Sequence, residues 1–319
     1  MTTPRFVAQP FFSPSEEELR FLPEGPRRLQ GTDSLGWVAI QHAADVFTGS
    51  LNILDLATGK NTSRPLPGRP GFFVETTEEG IVLVGIERRL ITCDRRTGEV
   101  KETGITVSDD LRVVINDGLA VEGGVLFGTK HLGFSEPIAG LYFLDSATRK
   151  VHQVLGGQTC SNGKVLRRDA EGAMLIDIDS QPKTISRYRL DASLKRVLSQ
   201  SLLADPASLP GFPDGMRLAP DGRSVIVAFF NPGHVADGLA QQLCLETGSV
   251  LAEWIIPGSP RVTCPEFIHW NGKVMVVFTT AVEGMPTETQ AIAPGAGCMY
   301  IAETGFSAVP MAPPLYGFA

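Results

Sequence analysis

Four oxygen-bearing residues occur in settings that repeat along the chain. Glu24 lies in PEGPRRL, Asn116 in VINDGLAVEGGVLFGT, Asn162 in CSNGKVLRRDAEGAMLI and Asp214 in FPDGMRLAPDGRSVIVAFF. The last three share a layout: an Asn-Asp-Gly, Asn-Gly or Asp-Gly unit, a short strand, a second turn and then a long apolar strand. The second turns are Glu122-Gly123-Gly124, Asp169 to Gly172 and Asp221-Gly222. Read singly, each first unit is a bare turn, because Asn-Gly and Asp-Gly are the commonest hairpin pairs. Three at one offset, with an acidic residue ahead of the first strand, point to a shared site. Carboxylates and amide carbonyls together form an all-oxygen shell that suits a hard divalent cation such as Ca²⁺, Mg²⁺ or Mn²⁺. The expectation is that the second turn joins each hairpin, while the first unit opens the inner strand where it can face a ligand.

Residues so far apart meet only if the chain folds as repeats. A strand ending in an acidic residue, then a polar turn, then another strand occurs as LNILDLATGK, LITCDRRTGEV and LYFLDSATRKV. Looser copies are ISRYRLDASLKRVL, QLCLETGSVL and CMYIAETGFSAVP. The acidic positions Asp55, Asp94, Asp145, Asp191, Glu246 and Glu303 are spaced 39 to 57 residues apart, about one four-stranded unit per step. Between them lie runs rich in Val, Ile and Phe, such as GIVLVGI, AMLIDI and SVIVAFF, bounded by Gly, Asp and Asn. Helical periodicity is confined to SPSEEELRF (13–21), with Ser15 and Glu18 spaced as a capping box. Short strands at regular intervals predict an all-β, six-bladed β-propeller. It is expected as a single domain over 1–319 with a short N-terminal segment, 1–22; a sandwich pair or β-helix is the alternative. In a propeller, residues at equivalent blade positions converge on a central channel.

Composition bounds the function. The 319 residues are 43% hydrophobic and 20% charged, with net charge −7 and basic residues dispersed, which argues against nucleic acid as a partner. No apolar run approaches the roughly 18 residues of a membrane helix, so no membrane role is expected. The first residues lack a basic start and apolar block, making cytoplasmic residence the expectation. Five scattered cysteines without a C-x-x-C pair suit free thiols. The five histidines show no metal-ligand spacing, and GQTCSNGK fails as a phosphate loop because Val165 stands where Ser or Thr is needed.

EGP (24–26), WVAI (37–40), NDG with FGT (116–118, 127–129), GLYFLD (140–145), SNG (161–163), the doubled PDG (213–222), VTCPEF (262–267) and FTTA (278–281) run in one order over nearly the whole chain. In this the chain resembles the regucalcin, gluconolactonase and luciferin-regenerating-enzyme family, also called the senescence marker protein family. The resemblance implies a propeller with one divalent metal in the channel, Ca²⁺ foremost with Mn²⁺, Mg²⁺ or Zn²⁺ as alternatives. It implies Glu24, Asn162 and Asp214 as ligands and Asn116 as a ligand or a substrate and water contact. The implied activity is hydrolysis of a small lactone of sugar or sugar-acid type, with Asp214 as general base. Phosphotriester or other ester hydrolysis, or non-catalytic calcium binding, are the alternatives. Three departures stand out. Val114 occupies the place of a substrate-binding arginine, for which Arg112, on the same strand face, is the expected substitute. Ala39 replaces an aspartate. Lys130 and Lys164 replace apolar residues, and either meet an anionic group of the substrate or are solvated. The loops QHAADVFTG (41–49) and HLGFSEP (131–137) are expected to cap the channel.

Overall fold

The computed structural model describes residues 3–170 and 172–317; Glu171, in one of the second turns, lies outside them. Six antiparallel sheets follow one another around a ring, giving a six-bladed β-propeller. Their innermost strands are Pro23–Arg28, Pro70–Glu75, Val113–Val121, Ser161–Asp169, Phe212–Leu218 and Val262–Trp270. Within each blade the chain meanders outwards from the channel.

The sixth blade receives three strands from its own stretch of chain, so its outer edge would stand open. Gln9–Phe12 fills that edge by pairing with Met299–Glu303, and Arg5–Val7 adds a parallel fifth strand beside Val250–Ile256 of blade five. The segment before residue 22 is therefore woven into the ring.

Each pair of neighbouring blades shares a separate apolar core, so there are six in turn around the ring. Trp37, Leu35 and Ile268 pack between blades six and one, and Phe72, Leu83 and Phe127 between blades two and three. Trp254, Phe267 and Phe278 fill the interface of blades five and six. Both faces of every sheet are thus covered, which explains why strands such as Ser224–Phe230 read as continuous apolar runs instead of alternating ones.

The recurrent acidic phrase has a local cause. Asp55, Asp94 and Asp145 end a blade's third strand and Asp191 directly follows one, and each accepts backbone N–H groups of the following turn, as Asp55 does from Thr58 at 2.8 Å. In blade five the matching backbone ring closes on Cys244, not Glu246, so the expected repeat position is displaced by two residues there. Near the N-terminus a single 3₁₀ turn, Glu17–Arg20, replaces the expected helix, and no side chain caps it. A six-residue helix, Thr287–Ile292, lies where none was foreseen. Among the described residues no helix is long and apolar enough to cross a membrane.

Candidate metal and substrate site in the channel

Every innermost strand breaks register with its neighbour once, at the same level of the channel. The shifts fall between Glu24 and Arg27, Pro70 and Phe72, Ile115 and Gly118, Ser161 and Lys164, Pro213 and Met216, and Val262 and Cys264. A bulge of this kind leaves residues unpaired and re-aims their side chains. The Asn-Asp-Gly, Asn-Gly and Asp-Gly units therefore sit inside their strands as bulges and do not precede them as turns. Glycine serves close approach here. A Cβ on Gly163 would lie 2.4 Å from the Met216 nitrogen, and one on Gly215 2.6 Å from the Thr263 carbonyl oxygen. Asp221-Gly222 is the true hairpin turn, with Gly222 at φ +63°.

Four bulges bring the expected residues together. Glu24, Asn116, Asn162 and Asp214 line one cavity of about 230 Å³ at the channel mouth. At the other two bulges stand Gly71, which packs on the Asn116 carbonyl, and Thr263, whose hydroxyl donates to the Pro23 carbonyl at 2.7 Å. The Asn116 amide donates to the Ser161 carbonyl at 3.1 Å and lies 3.7 Å from the Cys160 thiol, leaving its oxygen to a ligand. Asn162 donates to the Asp214 carboxylate and to the Ser180 hydroxyl, which in turn donates to the Pro213 carbonyl at 2.7 Å. Glu24 accepts the Gly25 N–H at 3.1 Å.

The electrostatics of this layer are unbalanced. Burial, then repulsion from Asp214 and Asp117, holds the Glu24 carboxyl well above the usual range. Asp214 is pushed up to about 8, chiefly by burial and further by Asp117 and Glu283, while Lys130 and the Asn162 amide pull it down. Asp117 accepts the Gly118 N–H at 2.7 Å with one oxygen; the other is buried without a hydrogen-bond partner. Among the described residues no group of three or more His, Cys, Asp or Glu side chains is disposed to hold a metal by itself. Amide oxygens would have to complete a shell. The donor set fits a hard cation: oxygen atoms throughout, repelling carboxylates, and an unpartnered buried oxygen beside them.

Beneath the bulges runs a second charged layer in which the cations are bonded. Arg27 donates to the Gly118 carbonyl at 2.5 Å, and Arg217 to the Pro26 carbonyl at 2.9 Å and to Glu266 at 3.3 Å. Lys164, 2% exposed, donates to the carbonyls of Asn162 and Asp117 and lies 3.7 Å from Asp177. Asp177 also accepts from Gln158 at 2.7 Å and Ser161 at 3.1 Å. These cations satisfy bulge carbonyls that would otherwise face a dry interior.

The remaining expectations divide. Lys130 lines the cavity, its Nζ 5.6 Å from the centre of the Phe134 ring. Lys164 is neither solvated nor in the cavity wall; it supports the Asn162 backbone from below. Arg112 is exposed and paired with Asp110 at 2.8 Å and Glu136 at 2.9 Å, and it does not line the cavity. Alternation places it on the site's face, but it precedes the strand and is held by its own loop.

Sequence reasoning overlooked Ser180, Glu283 and the rim of Phe212, Phe230 and Phe134. A signal was present. Ile40, Lys130, Ser180 and Phe230 all stand at or just past the end of a blade's second strand, a periodicity parallel to that of the bulges.

Known proteins agree with this architecture. Residues 22–281 match the model of the SMP-30/gluconolactonase/LRE-like region. An uncharacterised protein of Sulfolobus acidocaldarius is 31% identical over 171 residues, covering 53% of this chain and 58% of that one. An L-arabinolactonase of Azospirillum brasilense is 26% identical over 204 residues, covering 63% and 65%. Both alignments span less than two thirds of the relative. The crystal structure of a calcium-binding regucalcin from Agrobacterium tumefaciens superposes over 99% of each chain with a TM-score of 0.81 at 19% identity, a likeness of fold. With more than three quarters of its length matched, the chain belongs to the SMP-30/gluconolactonase/LRE-like family.

Proposed function

We propose that the chain is a divalent-metal-dependent hydrolase that opens a small lactone. The observation that carries this reading is the convergence of Glu24, Asn116, Asn162 and Asp214, from four equivalent bulges, on one cavity whose carboxylates repel one another. The family match and the L-arabinolactonase relative support the lactone as electrophile.

Glu24, Asn162 and Asp214 would hold one cation, with Asn116 beside them. When bound, a divalent cation supplies Lewis-acid polarisation of a carbonyl and charge to offset the oxyanion. Asp214 accepts the proton of the attacking water, a role suited to a carboxylate whose proton affinity is tuned by its surroundings. The Asn162 amide and the Ser180–Pro213 hydrogen bond fix the Asp214 carboxylate and its backbone in place. The Asn116 amide oxygen, oriented by its bonds to Ser161 and Cys160, is available to the water or to a substrate hydroxyl. Leu22, Phe212 and Pro213 make part of the cavity wall apolar.

Metal analysis of the purified protein, followed by a pH-indicator assay of lactones with Ca²⁺, Mn²⁺, Mg²⁺, Zn²⁺ or EDTA, tests the reading. Turnover that depends on a bound cation is the expected result. Cation binding with no turnover of any lactone or ester would reassign the protein as a non-catalytic metal binder.

A further inference from the structure

A second cavity of about 370 Å³ adjoins the candidate site. The two share Ile40, Lys130, Phe134 and Glu283 as common walls. The second cavity is otherwise lined by Phe21, Ala44, Phe47, Val114 and Leu132 together with Gln41 and Arg69. Residues of the loops 41–49 and 131–137 form part of its lining.

Of its polar groups the Gln41 amide N–H and Arg69 are engaged, while Lys130 and Glu283 stand on the wall it shares with the first cavity. The Gln41 amide donates to the carbonyls of Ala43 and Ala44. Arg69 makes a bidentate pair with Glu87, 2.8 Å at each oxygen, and lies flat against Phe47 with its guanidinium carbon 5.1 Å from the ring centre. Away from that shared wall a polyhydroxylated guest would find few partners for its donors and acceptors, and burying them unpaired is unfavourable. Meanwhile Phe47 is 60% exposed, and Leu132 and Phe134 are also exposed on the opposite loop. Exposed apolar side chains facing each other across a cavity are unusual on a soluble surface and mark a binding groove.

We propose that the substrate is a lactone bearing an apolar chain or ring, its carbonyl in the first cavity and its apolar part in the second, against Phe47, Val114, Leu132 and Phe134. This rests on the lactonase reading and narrows its substrate class away from sugar lactones.

The test compares kcat/KM of the metal-loaded protein on δ-valerolactone, δ-octalactone and δ-decalactone with that on glucono-δ-lactone and arabino-γ-lactone. The expected result is a rise of about fourfold per added methylene over the first few carbons, with the alkyl lactones preferred over the sugar lactones. The double variant Phe47→Ser, Leu132→Ser, both exposed in the free protein, should lower the decalactone-to-valerolactone ratio by about tenfold or more. A flat response to chain length, a preference for sugar lactones, or an unchanged ratio in the double variant overturns the apolar class while leaving lactone hydrolysis intact. Failure to open any lactone with any of the four cations overturns both.

Discussion

The channel holds two layers of buried charge, stacked one above the other and built from the same strands, and they are balanced in opposite ways. In the lower layer Arg217 meets Glu266, Lys164 meets Asp177, and Arg27, Arg217 and Lys164 all donate to bulge carbonyls. In the upper layer Glu24, Asp117 and Asp214 crowd together, with Lys130 partly relieving Glu24 and Asp214 and the arginines below attracting Asp117, one of whose oxygens has no hydrogen-bond partner. Buried charge that serves the fold is paired where it stands, because an unpaired buried ion costs several kcal/mol. Excess charge of one sign in a concave, water-poor place is tolerated where a ligand completes it. The comparison thus separates supports from site without reference to any relative.

The largest effect should follow from removing the upper layer's base. Asp214→Asn is expected to lower kcat/KM by about 10³-fold while raising the thermal midpoint of the metal-free protein, since folding no longer has to protonate or bury that carboxylate. A pH-indicator assay and a melting curve in EDTA measure the two together. Loss of activity with loss of stability would mean that Asp214 belongs with the supports. The converse experiment is Lys164→Met below. It leaves Asp177 buried without its cation and frees two bulge carbonyls, so a loss of about 3–5 kcal/mol in urea unfolding is expected. Adding Asp177→Leu should restore part of it, as removing both members of a buried pair costs far less than removing one. An undiminished unfolding midpoint for Lys164→Met would break the contrast between the layers.

How much of this contrast the sequence showed depends on the residue. The propeller was legible because the outer turns repeat chemically: Asp55, Asp94, Asp145 and Asp191 each supply the acceptor that the next turn's N–H groups need. Glu24, Asn116, Asn162 and Asp214 were legible because they stand at equivalent places in four of the six blades. Their bulges were not, since a glycine needed for close approach, such as Gly163 or Gly215, looks in sequence like a glycine needed for a turn. Lys164 was misplaced for a related reason. Lys164 stands two residues after Asn162 and would share its face in a regular strand, but the register shift between Ser161 and Lys164 breaks that alternation. Glu283 lies in a loop after FTTA, and its approach to Asp214 of the neighbouring blade depends on how that loop folds over the channel, which local spacing does not encode.

Acidity probes the same contrast more gently. An acid whose folded pKa is raised keeps its proton in the folded chain at pH values where the unfolded chain has lost it. Asp214, up at about 8 from an ordinary 3.8, therefore makes the metal-free protein lose stability as pH rises through that window. Glu24 is shifted in the same direction and adds to the trend. Melting curves in EDTA should show the midpoint falling from pH 5 to pH 8, with saturating Ca²⁺ flattening the fall, because a bound cation favours the ionised carboxylates. A midpoint that rises with pH in EDTA would show that the upper layer is already compensated by the protein's own cations.

The smallest effect is expected at Arg112, and its smallness is informative. Its guanidinium is engaged by Asp110 and Glu136 in open solvent, where ion pairs add little to stability, and it stands outside the cavity wall. Arg112→Ala should leave both kcat/KM and the melting midpoint where they are. Lys130→Met, by contrast, removes the cation that tempers Glu24 and Asp214, and should shift the pH dependence of turnover. If the two variants behaved alike, the line between charges that belong to the cavity and charges that decorate its rim would have to be redrawn, with the loop 131–137 closing inward far enough to bring Arg112 to the substrate.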